Sequence, residues 1–339
     1  MLETIPRLVF IDESIAVRCI IAAADSWDTC AGGALSAPAG VTTVKIIFSR
    51  KGFEKSNGGA ASPIFPDGRI CSIPIPINGR YSWNPRYREI KFGRINLGNV
   101  VTDLTRGHAK RYTGESHGHI DPDLRAEALV RRQGWLPAYG PGTAAQTLLA
   151  NHHVGEGDLF LFFGWFRRVE MVEGHWRFVR GEPDIHLLFG WLQVGTLFHE
   201  ITNRAKLPLW AYSHPHVRED DDWREEESEY NDTLYVARKE LHLPGLRADL
   251  AGGGVFRKYH KKLQLTESGE SRRNWRLPAW MYPFPDKPPL GYHDDRRRWR
   301  KDGRGCLLRT VDIGQEFVLD TEYYPKASEW LARLFRAAA

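Results

Sequence analysis

Two apolar segments near the middle of the chain say most about its fold. The first is Gly157-Asp-Leu-Phe-Leu-Phe-Phe-Gly-Trp-Phe-Arg167, and the second is Asp184-Ile-His-Leu-Leu-Phe-Gly-Trp-Leu-Gln-Val-Gly195. Each places Phe-Gly-Trp within a run of residues that favour strands. A glycine inside a strand permits a bend or the close approach of a neighbour. The two segments therefore predict buried strands with a bend or a closely approaching neighbour at each glycine.

Similar short runs bounded by Gly and Pro predict further strands along the chain. The full set of expected strands is 44–48, 69–73, 158–163, 165–171, 176–180, 185–189, 191–198, 233–237, 262–266 and 316–320. Helices are expected at 121–133, where Asp121 would be the N-cap and Pro122 the first helical residue, at 143–150, and at the amphipathic C-terminal segment 325–337. The predicted fold class is α+β, with one β-rich domain, a mostly antiparallel or mixed sheet and few helices.

The chain has 339 residues, of which 42% are hydrophobic and 26% are charged, and its formal net charge is +5. This composition is typical of a globular protein, and no run reaches the roughly 18 apolar residues of a membrane-spanning helix. We divide the chain into a poorly structured leader, 1–43, and a domain, 44–339. The leader carries two basic and five acidic residues. We expect it to be an over-long gene start, with Val44 encoded by an alternative GTG codon; the competing expectation is a genuine but loosely packed arm.

The domain contains two cysteines, Cys71 and Cys306, and has no zinc-type Cys/His spacing. This favours a reducing, cytoplasmic location. Its positive charge is concentrated in the basic tract 257–304, with 14 basic and six acidic residues interleaved with aromatic ones. Such a composition predicts contact with phosphates and bases, although a solvated surface would also account for it. The residues assigned to nucleic-acid contact are Arg272, Arg273, Trp275, Arg296, Arg297 and Arg298.

The first predicted strand ends in adjacent cations followed by a glycine, in Ser49-Arg-Lys-Gly-Phe-Glu54. Side-chain charge and exposed amides at such a position suit a phosphate or another anion, although the motif is neither a P-loop nor a dinucleotide fingerprint. A second polar group, Gly314-Gln-Glu-Phe317, precedes the last strand and would grip a base edge or form a simple turn. The predicted substrate- or phosphate-binding residues are Ser49, Arg50, Lys51, Gly52, Arg168, Gln315 and Glu316.

The string Lys45-Ile-Ile-Phe-Ser-Arg-Lys-Gly-Phe53 resembles the opening of the nucleotide modification associated domain 3 family. Further matches are Gly58-Gly59, Ser62-Pro-Ile64, Pro66-Asp-Gly68, Asp121-Pro-Asp-Leu124, Gly157–Phe166, Phe189-Gly-Trp-Leu-Gln193, Ser213-His-Pro-His216, Trp275-Arg-Leu-Pro278 and Gly314-Gln-Glu-Phe317. The resemblance spans nearly all of 44–339, and an Asp often stands where this chain has Glu54. It implies a nucleic-acid setting in phage and bacterial DNA-modification systems and leaves the reaction open. The middle strands also resemble the small barrels of the PUA-like class, which includes readers of modified bases.

Two histidine-containing motifs are candidates for chemistry. In an extended chain, His117, His119, Asp121 and Asp123 would face one side, a set of donors suited to Mn²⁺, Fe²⁺ or Zn²⁺. The competing interpretation makes Asp121 a helix cap and Asp123 a first-turn residue. In Ser213-His-Pro-His216, Pro215 favours an extended backbone, so that the two imidazoles converge on one ligand or serve as acid and base. A purely structural loop is the alternative.

These observations favour a base-modifying enzyme acting on DNA or nucleotides, with group transfer ahead of oxidation because no facial-triad spacing is evident in the sequence. The predicted catalytic residues are Glu54, Asp121, His214 and His216. The cofactor is unknown, with a divalent metal as a candidate on His119, Asp121 and Asp123. Nucleic acid or a nucleotide is the expected partner, and no membrane is. The alternative function is a non-catalytic reader with a tryptophan cage of Trp165, Trp191 and Trp210; an enzyme of the small-molecule nucleotide pool is a third.

Overall fold

The structure is a computed structural model that describes residues 44–77, 84–199, 201, 203–217, 233–246, 249–312 and 316–338. The leader, the acidic segment 219–229 and Gln315 lie outside the described residues. Thr42–Ala339 form one compact unit by their contacts. No helix in the described ranges is long and apolar enough to cross a bilayer.

Sixteen strands and three α-helices are present in the described part of the chain. The strands are β1 Lys45–Arg50, β2 Ser62–Ile64, β3 Ile75–Ile77, β4 Lys91–Phe92, β5 Ile95–Asn96, β6 His117–His119, β7 Ala138–Tyr139, β8 Leu159–Val172, β9 His175–Phe178, β10 Ile185–His199, β11 Thr233–Ala237, β12 Gly253–Val255, β13 Asn274–Leu277, β14 Trp299–Asp302, β15 Gly305–Arg309 and β16 Glu316–Asp320. The helices are α1 Leu97–Leu104, α2 Thr143–Asn151 and α3 Ala327–Ala338. The expected α+β class, rich in strands and ending in an amphipathic helix, is confirmed.

A mixed sheet forms the centre of the molecule, in the strand order β16-β1-β8-β10-β11-β7. Strand β1 runs parallel to β8 and antiparallel to β16, so a parallel pair lies inside an otherwise mainly antiparallel sheet. The two Phe-Gly-Trp segments lie in β8 and β10, which pair antiparallel with a register shift between Leu188 and Gly190. They are single long strands rather than the four short strands expected.

The glycines of these strands do mark close packing. A Cβ at Gly164 would lie 2.7 Å from the Lys51 carbonyl oxygen, and one at Gly190 would lie 2.9 Å from the Gly254 carbonyl oxygen. Such distances are shorter than carbon and oxygen tolerate without movement of the backbone, so only glycine fits. The prediction of a close neighbour at each Phe-Gly-Trp is therefore confirmed, with loop backbone at one glycine and β12 at the other.

The expected PUA-like barrel is wrong, because in the described residues the sheet is open and no closed barrel forms. Its central strands are buried on both faces, with Phe160 and Phe162 packed near Tyr139 on one side and Phe163 against Trp275 on the other. A sheet covered on both faces buries its long apolar strands without curling.

The helix expected at 121–133 is also wrong, since only a 3₁₀ turn at Ala126–Ala128 forms there. The Asp121 carboxylate accepts a hydrogen bond from the Gly140 amide at 2.9 Å, and the backbone of Asp123 pairs with Ala138. Contacts distant in sequence thus replace the local capping that the sequence suggests. The helices expected at 143–150 and 325–337 are present as α2 and α3, while α1, capped by Asn96, was not predicted.

The basic tract folds around a small antiparallel sheet, β13-β15-β14, that the sequence did not predict. The strands expected at 69–73 and 262–266 are absent as strands. Ile70, Gln264 and Thr266 form only isolated bridges, and Lys261–Leu263 is a 3₁₀ turn. Alternation along β13 places Trp275 in the core, where it is 0% exposed.

Candidate active site

The end of β1 divides the motif Ser49-Arg-Lys between two faces of the sheet. Ser49 Oγ donates a hydrogen bond to Glu316 Oε1 at 3.0 Å, and Lys51 Nζ donates to the same oxygen at 2.7 Å. Arg50 points the other way, with Nη2 donating to the Asp312 carbonyl at 2.9 Å and Nε 3.1 Å from Glu54 Oε1. Because successive side chains of a strand face opposite sides, Arg50 and Lys51 do not hold one phosphate together.

On the Lys51 side, a buried carboxylate gathers three donors. Besides Ser49 and Lys51, the Tyr139 hydroxyl donates to Glu316 Oε1 at 2.6 Å, and Glu316 is only 1% exposed. Lys51 Nζ also lies 4.8 Å from the centre of the Tyr139 ring. Burial, together with the charge of Glu316, raises the pKa of Tyr139 well above its usual value, so the phenol remains a proton donor. We call Ser49, Lys51, Tyr139 and Glu316 the Glu316 cluster.

Three histidines and one aspartate form a second group, the His–Asp cluster: His119, Asp121, His214 and His216. His119 Nε2 lies 3.1 Å from His216 Nε2. His216 Nε2 lies 3.6 Å from Asp121 Oδ2, and His214 Nε2 lies 3.3 Å from Asp121 Oδ1. One ligand atom from each of His119, Asp121 and His216 fits within 4.8 Å, which makes these three a candidate metal-binding set.

Local structure explains why these side chains meet. His119 ends β6 and Asp121 follows two residues later, with the Asp121 amide donating to the His119 carbonyl at 2.9 Å. His214 and His216 flank Pro215, directly after a 3₁₀ helix at Leu209–Ser213. The imidazoles of Ser-His-Pro-His do converge, and the partner they share is the Asp121 carboxylate.

The two clusters are joined through Tyr139 and Gly140. Tyr139 belongs to the Glu316 cluster, while the Gly140 amide binds Asp121 Oδ1. A Cβ at Gly140 would lie 2.8 Å from the His216 ring, so a glycine is needed for this approach. We call the two clusters together the central site.

Burial strongly shifts the pKa values of the central site. Burial lowers the pKa of His119 to about 3, with the neighbouring His216 adding to the shift, so this imidazole is neutral at physiological pH. Burial by itself raises the pKa of Asp121, but hydrogen bonds from His214 and His216 outweigh it and hold the pKa well below its usual range. A neutral imidazole beside a carboxylate can donate an electron pair to a bound ligand or accept a proton.

On the opposite face of the sheet lies a cleft of about 710 Å³. Four cations and two acids line it, together with Ser56, Trp165 and His186; the charged residues are Arg50, Glu54, Lys55, Arg272, Arg273 and Asp312. The Arg272 guanidinium stacks 4.3 Å from the centre of the Trp165 ring. We call this the Arg50 cleft. Its excess of guanidinium groups beside an indole suits a phosphate with an attached base.

A family model described as nucleotide modification associated domain 3 matches residues 45–320. The chain belongs to the nucleotide modification associated domain 3 family. No curated protein and no solved structure matches the chain. The family name connects the protein with nucleotide modification, and the expected resemblance is confirmed over most of the chain.

In this family member, several residues chosen from the sequence lie away from the central site. Glu54 lies in the Arg50 cleft, paired with Arg50 rather than grouped with Asp121. Asp123 accepts a hydrogen bond from Arg131 at 2.6 Å, so His216 takes the place expected for Asp123 in the metal-binding set. Arg168 lies 3.5 Å from Glu182 and stacks on Tyr259.

Other residues proposed for binding are buried or have partners elsewhere in the protein. Gly52 is buried against Ser72 and does not offer a surface amide. Trp275 donates from Nε1 to His186 Nδ1 at 2.9 Å inside the core, so we remove it from the nucleic-acid contacts. Arg296–Arg298 form an exposed 3₁₀ turn, in which Arg297 pairs with Asp295 and Arg298 donates to the Arg309 carbonyl.

The three tryptophans of the expected reader cage pack in separate places. Trp191 packs against Phe256 and Phe335, Trp210 belongs to a different apolar cluster, and Trp165 faces Arg272. Sequence reasoning missed Tyr139 and Gly140. The only sequence signal was Tyr139-Gly-Pro-Gly142, a turn before α2, and such a turn carries no chemical signature.

Proposed function

We propose that the protein is an enzyme that modifies nucleotides or the bases of nucleic acid at the central site. The observation that carries the proposal is the convergence of the His–Asp cluster with the buried Lys51–Glu316 pair. Buried groups with strongly shifted pKa values are expensive to maintain and concentrate at functional sites. Membership of a nucleotide-modification family supports the substrate class.

The His–Asp cluster supplies the parts needed for proton transfer. His214 is 2% exposed and lies against Asp121 Oδ1, which also accepts the Gly140 amide. A carboxylate fixed by a backbone amide orients an imidazole, and an oriented imidazole can take a proton from one reacting atom and return it to another. In the proposal, Lys51 donates a hydrogen bond to charge that develops on the substrate, while Tyr139 keeps its single hydroxyl proton on Glu316.

The Arg50 cleft supports nucleic acid or a nucleotide as the ligand. Burial lowers the pKa of Arg272, and the cleft that it lines holds four cations against two acids. A phosphate in the cleft would supply the missing negative charge. In the proposal, Arg50, Arg272 and Arg273 bind phosphate, and Trp165 stacks with a base.

Group transfer was favoured over oxidation because the sequence showed no facial-triad spacing. The structure removes that argument, since His119 and Asp121 meet His216 from 97 residues away. We therefore propose modification of a base or nucleotide, by group transfer or by oxidation.

Mass spectrometry of nucleosides tests the proposal. A bacterial host expressing the full chain is compared with the same host lacking the gene, both in its DNA and in its free nucleotide pool. We expect a nucleoside to be gained or depleted in the expressing host. This change should be absent with Asp121→Asn and should persist with Glu115→Gln, because Glu115 is an exposed carboxylate paired with Arg86 and Arg88. Unchanged nucleosides together with tight binding to modified duplex would favour the reader instead.

A further inference from the structure

We propose that His119, Asp121 and His216 bind one divalent transition-metal ion. This inference deepens the proposed function and rests on it for the role of the ion, though the binding itself stands on the geometry. Metal–nitrogen and metal–oxygen bonds are about 2.0 to 2.2 Å long. Two ligands on one ion therefore lie about 2.8 to 3.1 Å apart at 90° and about 3.3 to 3.6 Å apart at the tetrahedral angle. The distances of 3.1 Å between the two histidine Nε2 atoms and 3.6 Å from His216 Nε2 to Asp121 Oδ2 fall in these ranges.

The two carboxylate oxygens of Asp121 have different partners. Oδ1 accepts the Gly140 amide at 2.9 Å and lies 3.3 Å from His214 Nε2. Oδ2 faces His216. The Gly140 amide thus fixes Oδ1, with His214 Nε2 lying beside it, so that the second oxygen faces His216, an arrangement typical of a positioned metal ligand. His214 is in this account a positioning residue that acts through Asp121.

A purely hydrogen-bonded histidine pair explains the group less well. A neutral imidazole has one N–H and one acceptor nitrogen, so a single proton on His216 Nε2 would have to be shared between His119 Nε2 and Asp121 Oδ2, which weakens both contacts. In the described part of the chain, the buried Nδ1 of His119 has no hydrogen-bond partner to fix a tautomer. A cation would instead be shared by the three ligand atoms, which lie within 4.8 Å of one another.

The donor set indicates the kind of ion. Two imidazole nitrogens and one carboxylate oxygen suit Fe²⁺, Mn²⁺, Co²⁺ or Zn²⁺, whereas Mg²⁺ and Ca²⁺ prefer oxygen ligands. Three protein ligands leave coordination positions for water or substrate, as in catalytic rather than structural sites.

The test uses the full chain, stripped with a chelator and titrated without substrate. Co²⁺ is the optical probe, because its d–d absorption reports coordination by nitrogen and oxygen; Mn²⁺ and Zn²⁺ are titrated by calorimetry. We expect one equivalent to bind. The variants His119→Gln, Asp121→Asn and His216→Gln should bind more than about 100-fold more weakly, and His214→Gln about 10- to 100-fold more weakly.

His117→Gln is the matched control, because His117 lies on the same strand and instead contacts the Asn84 carbonyl through Nδ1. It should bind Co²⁺ as the unchanged chain does. Binding of less than one equivalent, or equal binding by Asp121→Asn, would overturn the metal inference. Asp121→Asn preserves side-chain volume, and its thermal unfolding shows whether lost binding reflects lost folding.

The two proposals fail differently. If the stripped protein binds no Co²⁺ and still modifies nucleosides at its full rate, the metal inference fails and the proposed function stands. If the chain binds one Co²⁺ and no nucleoside changes in the host, the metal inference stands and the proposed function fails.

Discussion

Two neighbouring residues, Arg50 and Lys51, open onto two different environments. Lys51 enters a buried polar network in which Glu316 is hydrogen-bonded to three donors. Arg50 lines a cleft in which guanidinium groups outnumber carboxylates. The comparison teaches that strand alternation directs neighbouring residues of one short motif into a buried polar network on one face of the sheet and a basic cleft on the other. The predictions that follow test this division.

The largest effect is expected from Asp121→Asn. Loss of the carboxylate removes the group that orients His214 and faces His216, and general acid–base catalysis contributes about 100- to 10,000-fold. Nucleoside modification should fall by that factor, while the DNA affinity measured by fluorescence anisotropy stays unchanged. A parallel loss of DNA affinity would show that the two faces are not separate.

Substitutions of two tryptophans, one in the core and one in the Arg50 cleft, should have different effects. Trp275→Ala should lower the free energy of unfolding by about 3–5 kcal/mol, because it empties a fully buried site in the core. Trp165→Ala should change stability much less and instead weaken single-stranded DNA binding, where each stacked base is worth about 1–3 kcal/mol. Urea unfolding and anisotropy of both variants check this. Equal destabilisation by the two would place Trp165 in the core.

Tyr139→Phe tests the Glu316 cluster. The change removes the 2.6 Å hydrogen bond to Glu316, and hydrogen bonds to charged groups contribute about 1.5–3 kcal/mol. Urea unfolding should show a loss of that size, with Tyr323→Phe, at an exposed position, as the unchanged control. If both variants unfold at the same urea concentration as the parent, the cluster adds nothing to stability.

The smallest effect is expected from Arg272→Ala combined with Arg273→Ala. If each arginine contacts one phosphate, the ratio of the DNA affinity at 50 mM salt to that at 200 mM salt should become about tenfold smaller. The matched variant Arg86→Ala with Arg88→Ala removes the same charge from a surface paired with Glu115. An equal change in both variants would show that binding follows net charge and not the Arg50 cleft.

Local patterns predicted some elements well. β11 and β16 have the expected bounds, and β1, α2 and α3 lie within a few residues of theirs, because short apolar runs and helix periodicity are local features of the sequence. The same local rules failed at Asp121. Asp followed by Pro is a good helix start by itself, but the carboxylate satisfies Gly140 and two histidines from distant segments instead.

The central site shows the same division. His119 with Asp121, and His214 with His216, were recognised as pairs because alternation and Pro215 act locally. The sequence predicts Asp121, His214 and His216 as one catalytic set, but it does not predict that His216 meets His119, because these two residues are 97 positions apart. Tyr139 was missed because nothing in a turn sequence reports that its hydroxyl reaches Glu316, 177 residues away.

The sequence by itself determined the family, the α+β class and the tight packing at Gly164 and Gly190, because these follow from local composition and from motifs preserved along the chain. Tertiary structure alone decided which face each polar residue joins. In the folded protein Trp275 is buried in the core, Asp123 is hydrogen-bonded to Arg131, and His216 lies next to Asp121. The physical reason is that hydrogen bonding and charge compensation in a buried site depend on distances in space, and these are set only when the sheet and its loops assemble.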